Sequence, residues 1–163
     1  MKFLADRMLG KLAKELRMLG YDALYYRGQN PYELFQLARQ QERLILTRNT
    51  RLTPKTKEDR IIQITEDNPM LQLKELLKQG IVALNEETLF SRCLLCNSLL
   101  KEITQEEAEG KVPDFVFYQQ KEFYRCPHCH HIYWPGSHLE RMQNRLKDLF
   151  RIQGVKGPSN QAK

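Results

Sequence analysis

The chain has 163 residues and a mass of 19.4 kDa, the size of one ordinary domain or of a small domain with a satellite. Hydrophobic residues make up 41% and charged residues 28%, a globular composition that excludes a disordered chain and is long enough to bury a core without disulfides. The net charge is +6, and its excess is confined to the start: residues 1–57 hold 12 Lys+Arg against 5 Asp+Glu, and the remaining 106 hold 14 against 15. A basic region of this kind suits a polyanion, most often nucleic acid; the plainer reading is a solvated basic face. No apolar run approaches the roughly 18 residues of a membrane helix, so no membrane partner is expected. Met1-Lys2-Phe3-Leu4-Ala5-Asp6 meets a charge too early for a signal peptide, and a cytoplasmic protein is the expectation.

In chain order, Lys2–Ala5 reads as a short apolar strand ending at Asp6. Residues 7–19 carry a helical period, with Met8, Leu9, Leu12, Ala13, Leu16 and Leu19 on one face. Arg7, Lys11 and Lys14 fall on another face, with Arg17 near its edge. Asp6 stands where an N-cap would stand and Gly20 where a helix ends. Tyr21–Tyr26 is a second strand, and Pro31 suits the first position of a helix running to about Gln40. Arg43–Thr47 is a third strand and Arg60–Thr65 a fourth. Asn68-Pro69 opens a helix that ends near Gly80. This alternation predicts an α/β fold, a parallel sheet with helices packed on both faces and joined by right-handed crossovers.

In such sheets ligands bind outside the carboxyl ends of the strands. That rule gathers Asp6 after the first strand, Asn30 and Glu33 after the second, Asn49 after the third and Asp67 after the fourth. Asp22 starts the second strand and belongs at the opposite rim. The basic stripe Arg7, Lys11, Lys14, Arg17 is a candidate track for phosphates, with an ordinary amphipathic helix as the plainer reading.

The pattern changes after Glu87, and a boundary is expected between about Gly80 and Ser91. This gives an α/β domain over 1–85, a zinc ribbon over 91–142, and a helix end with a mobile tail over 143–163. Cys93-x2-Cys96 and Cys126-x2-Cys129 are separated by 29 residues. Two such knuckles complete a tetrahedral thiolate shell, the geometry zinc prefers. An all-cysteine shell leaves no open position for catalytic water, so the metal is structural. Two disulfides or a redox pair are the alternatives, the former disfavoured in a cytosolic chain. His128, His130 and His131 crowd the second knuckle and could compete as ligands. Phe115–Tyr118 and Glu122–Arg125 read as ribbon strands. His138 follows the stiff turn Tyr133-Trp134-Pro135-Gly136-Ser137, which could fix its imidazole against a neighbouring surface. An exposed strand edge or apolar helix face would suit a homodimer.

The stretches FLADRMLGKLAKELRMLGYDALYY, RLILTRN, RCLLCN, VPDF and EFYRCPHCHHIYWPGSHLERM together resemble the Mut-seven C-terminal RNase family, from about Lys2 to about Met142. The resemblance implies a PIN-like Rossmannoid domain followed by a zinc ribbon, and an Mg²⁺- or Mn²⁺-dependent ribonuclease with RNA as partner. Carried over by position, Asp6 matches the family's first acidic residue and Arg48 the arginine of its third-strand LTRD motif. Asn49 replaces the aspartate of that motif. The catalytic set implied is therefore Asp6 and Glu33 as ligands to Mg²⁺ or Mn²⁺ with Asn49 as a neutral one. Arg48, the basic stripe and His138 are then the RNA contacts. The alternative is a catalytically degenerate module that binds RNA or a ribonucleoprotein; a zinc-ribbon adaptor without RNA is a third class.

Overall fold

A computed structural model describes residues 1–151, apart from the side chains of residues 138, 139, 150 and 151. The expected mobile tail therefore lies, from residue 152 on, outside the described residues. The chain divides into two compact units, the first being Met1–Asn97 and the second starting at Ser98.

The first unit contains β1 (Lys2–Ala5), α1 (Gly10–Met18), β2 (Asp22–Tyr25), α2 (Pro31–Gln40), β3 (Leu44–Thr47), β4 (Ile61–Gln63) and α3 (Pro69–Lys78). The strands form one parallel sheet in the order β2-β1-β3-β4, with Phe3 opposite Ala23, Leu4 opposite Ile45 and Leu46 opposite Ile62. A parallel sheet covered on both faces needs strands that are apolar throughout. Phe3-Leu4-Ala5 and Leu44-Ile45-Leu46 meet that need, and all six are buried. Alternation sends Leu4 and Ile45 to one face, where Leu34, Phe35 and Ala38 of α2 and Leu52 close a core. α1 packs on β1, β2 and α3.

Both helices opened by Asn-Pro start where the sequence places them. Asn30 Oδ1 accepts from Tyr32 N at 3.0 Å and Asn68 Oδ1 from Met70 N at 2.9 Å, and each proline occupies the first turn, where its missing N–H costs nothing. Gly20 ends α1 with φ +89°, and a Cβ there would meet Thr88 O at 2.2 Å. Conformation and space both require glycine.

The start of α1 departs from the expected pattern. The helix begins at Gly10 with Leu9 at its N-cap. Asp6 instead closes a turn, its Oδ1 accepting from Met8 N at 2.9 Å and its carbonyl from Leu9 N at 2.9 Å. Met8 rides on that turn, exposed at 56% rather than buried.

The boundary between units falls after Asn97, later than the 80–91 expected, because residues 83–97 are bonded to the first unit. Tyr21 Oη accepts from Ala83 N at 2.9 Å, Met18 O from Phe90 N at 2.8 Å, and Gly20 O from Arg92 Nε at 3.0 Å.

The second unit contains β5 (Lys101–Ile103), α4 (Gln105–Ala108), α5 (Asp114–Gln119), β6 (Phe123–Arg125), β7 (Ile132–Tyr133) and α6 (Ser137–Arg151). Its strands form a small antiparallel sheet, β5-β6-β7, over a core of Ile103, Ala108, Val112, Val116, Phe123 and Ile132. Residues 115–118, expected as a strand, lie in helix α5. A strand would alternate its exposure; here Val116 is buried while Phe115 and Tyr118, three apart, are 65% and 81% exposed. Val116 N and Phe117 N both donate to Pro113 O, and Asp114 favours the positive end of the helix. α4 carries a capping box between Thr104 and Glu107.

At the amino ends of the strands, Asp22 accepts from Arg43 Nη1 at 2.6 Å and from Asn97 Nδ2 at 2.7 Å. Burial pushes its carboxyl up, but the Arg43 and Asn97 hydrogen bonds and the charges of Arg43 and Arg92 outweigh it and hold the pKa below its usual value. A depressed folded pKa means stability that is complete above about pH 4 and lost as pH falls through the folded value. Below about pH 4, unfolding free energy should therefore fall less steeply with acid in Asp22→Asn than in wild type, measured by urea denaturation across pH.

Candidate functional site

The carboxyl ends of the strands bring Asp6, Thr47 and Asn49 into one hydrogen-bonded chain. Asp6 continues the β1 ladder, its N–H donating to Leu46 O at 3.0 Å, and is 7% exposed. Its Oδ2 accepts from Thr47 Oγ1, and Thr47 Oγ1 in turn accepts from Asn49 N at 3.0 Å. The Asn49 side chain closes its own turn, Oδ1 accepting from Arg51 N at 3.0 Å, and Gln63 Nε2 donates to its carbonyl at 3.1 Å. Arg48 pairs with the exposed Asp67 rather than with Asp6.

Glu33 sits in the first turn of α2, exposed. Its Oε2 accepts from Tyr26 Oη at 2.9 Å, with Asn30 O as a second acceptor for the same single proton at 3.1 Å. Partial desolvation and then the Glu33 carboxylate push the Tyr26 hydroxyl pKa up. Tyr25 Oη donates to Arg7 O at 2.8 Å, and Arg27 lies 5.5 Å over the Tyr25 ring. Gly10 allows this packing, since a Cβ there would meet the Tyr25 ring at 2.9 Å. Arg7, Lys11 and Lys14 are exposed.

Arg17 does not belong to that basic surface. It is 5% exposed, and its guanidinium donates to Ala23 O at 2.8 Å, Leu94 O at 2.8 Å and Leu95 O at 3.1 Å. The periodicity of α1 left it at the edge of the polar stripe, where a buried role cannot be told from a solvated one. The side chain of His138, at the start of α6, lies outside the described residues.

Thr47 carries no functional signal in the sequence. It reads as the last buried residue of β3, and only its position between Asp6 and Asn49 gives the hydroxyl a role. Thr47→Val should leave one oxygen of the buried Asp6 carboxylate and the Asn49 N–H without this partner and destabilise the protein by about 1–3 kcal/mol. Thr47→Ser should restore most of it. Chemical denaturation measures both.

The residues that gather for a metal are the four cysteines. Among the described residues, Cys93, Cys96, Cys126 and Cys129 are the His, Cys, Asp or Glu group whose ligand atoms come together, all within 4.8 Å of one another. None is in a disulfide. A tetrahedral shell with Zn–S near 2.3 Å requires sulfurs roughly 3.8 Å apart, so the spacing fits and the all-thiolate donors suit zinc. The two knuckles share one backbone design. Asn97 N donates to Cys93 O at 2.9 Å and His130 N to Cys126 O at 3.0 Å. Asn97 and His130 both adopt positive φ, +72° and +62°, which asparagine and histidine tolerate better than most side chains. His130 is thus a turn residue of the knuckle. Asp6 and Glu33 form no comparable group with a third such ligand among the described residues. Metal analysis of the purified protein should give about one zinc per chain, and chelation should lower its melting temperature.

The model of the Mut7-C RNAse domain family matches residues 1–146. The chain therefore belongs to the Mut7-C RNAse domain family. Its architecture is that of an α/β domain with a parallel sheet, joined by a four-cysteine cluster and a small antiparallel sheet. No curated protein and no solved structure matches the chain. No helix among the described residues is long and apolar enough to cross a membrane.

Proposed function

We propose that this chain is a metal-dependent ribonuclease that hydrolyses RNA phosphodiester bonds at the carboxyl rim of its parallel sheet, with a structural zinc at the four cysteines. The observation that carries this reading is Asp6: a buried carboxylate at the end of a central strand, held by a threonine hydroxyl and a backbone amide in a chain of an RNase-domain family. A carboxylate oxygen has lone pairs beyond those two hydrogen bonds, so Asp6 remains able to ligate a cation. Glu33 would supply a second negative ligand and Asn49 a neutral one. A divalent ion held there would supply an activated water and neutralise charge on the phosphate. Arg7, Lys11 and Lys14 are the exposed cations that would track the RNA backbone. Arg48, already paired with Asp67, would reach a phosphate by exchanging that exposed partner.

A second reading follows from Asn49. It brings no charge to the rim, and Asp6 and Glu33 alone are a lean site for Mg²⁺, which is held through carboxylates and waters. RNA binding without hydrolysis is the function that such a site retains.

One experiment separates the two. RNA cleavage is measured with Mn²⁺ for wild type, Asp6→Ala and Asn49→Asp. Aspartate keeps the oxygen that closes the turn at position 49, so that variant adds charge without rebuilding the loop. The nuclease reading expects Asp6→Ala to lose at least about 100-fold in rate, because a lost metal ligand removes several kcal/mol of charge stabilisation, and Asn49→Asp to gain. Silence of wild type on several RNAs, with activity appearing in Asn49→Asp, establishes the binding module. Cleavage that survives Asp6→Ala overturns the assignment of the site.

A further inference from the structure

We propose that Arg17 and Asn97 transmit metal occupancy at the four cysteines into the parallel sheet, so that loading the metal locks the edge strand β2. This goes beyond the ribonuclease reading and does not depend on it.

Ala23 is where the side chains of Arg17 and Asn97 meet the sheet. β2 is an edge strand, paired with β1 alone. Tyr26 N donates to Ala5 O at 2.9 Å, so the even-numbered residues of this stretch turn their backbone groups toward β1 and Ala23 turns its own outward. Outward-facing edge groups need partners or water. Here the partners are side chains: Asn97 Oδ1 accepts from Ala23 N at 3.0 Å, and Arg17 Nε donates to Ala23 O at 2.8 Å. Both lead straight to the first knuckle. Arg17 Nη1 donates to the carbonyls of Leu94 and Leu95, the two residues between Cys93 and Cys96. Asn97 follows Cys96 directly, and its Nδ2 donates to Asp22 Oδ1 at 2.7 Å. Arg92 completes the arrangement, donating to Asn97 O at 2.8 Å and Gly20 O at 3.0 Å.

The same bonds favour the metal. A zinc ion in four thiolates leaves a net charge of about −2 on the cluster, and Arg17 and Arg92 bring positive charge to the carbonyl side of the knuckle. With the loop already fixed in its turn, less ordering remains when the metal binds. Thermodynamic linkage makes the coupling mutual: whatever the sheet contributes to the knuckle, the loaded knuckle returns to the sheet. Removing the metal frees the Leu94 and Leu95 carbonyls to move, and the buried Arg17 then loses partners that only a fixed loop provides.

Hydrogen exchange read by mass spectrometry tests this on the full chain, zinc-loaded and after chelation. In wild type, chelation should raise exchange in β2 (Asp22–Tyr25) by about 10-fold or more, while β3 (Leu44–Thr47) keeps its protection. In Arg17→Met, β2 should exchange fast even when loaded, and chelation should add little. Zinc affinity of the variant, measured by competition with a chromogenic chelator, should fall by about 10-fold or more, the range found for groups that orient metal ligands. Asn97→Gly keeps the positive φ and removes the cap on Ala23; it serves as the second variant if Arg17→Met does not fold, with the same expectations. Unchanged β2 exchange on chelation overturns the proposal. So does wild-type zinc affinity in a folded variant, or an equal rise in β2 and β3, which would mean global unfolding.

Discussion

The free edge of β2 is the constraint around which the first unit is organised. A four-stranded parallel sheet has two edges, and each exposes backbone donors and acceptors. This chain covers the β2 edge with residues 92–97, which the sequence assigns to another domain. It does so with side chains: Arg17 from α1 and Asn97 from the knuckle, both converging on Ala23. Asp22 and Arg43 extend the network to β1 and β3, since Arg43 Nη1 also donates to Phe3 O at 3.1 Å. A buried arginine is costly unless its donors are satisfied. Here its partners are carbonyls fixed by a sheet on one side and by a cysteine turn on the other.

The opposite rim obeys different demands. There the strands end on polar residues, and hydrogen bonds hold Asp6 and Asn49 through a shared Thr47 hydroxyl. Negative charge at this rim is sparse. Asp6 is buried and doubly hydrogen-bonded, Glu33 is exposed and bonded to Tyr26, and Asp67 is paired with Arg48. The two rims differ in kind: charged and amide side chains bind the strands to the knuckle at the amino ends, and a hydroxyl-centred chain of hydrogen bonds joins two strand ends at the carboxyl ends.

Much of this was legible in the sequence because the signals were local. The runs Phe3–Ala5 and Leu44–Leu46 are short, apolar throughout and bounded by polar residues, as buried parallel strands are, and Asn30-Pro31 and Asn68-Pro69 carry both a cap and a proline at the right offset. The spacing of four cysteines likewise contained its own geometry. What was not legible depended on distant partners. The burial of Arg17 is decided by Leu94 and Leu95, 77 and 78 residues away. The role of Thr47 is decided by Asp6, 41 residues earlier. Phe115–Tyr118 has the composition of a strand, and only the core formed by Ala108, Val112 and Phe123 selects the helical face that buries Val116.

The turn at Asn49 has an evolutionary consequence. Its side-chain oxygen accepts one backbone hydrogen bond from Arg51, and an amide or a carboxylate oxygen serves equally in that role. The shape of the loop is therefore blind to the charge at this position. A lineage can exchange asparagine and aspartate here without first acquiring compensating substitutions in the core. Change in the electrostatics of the rim is thereby separated from change in the fold of the loop.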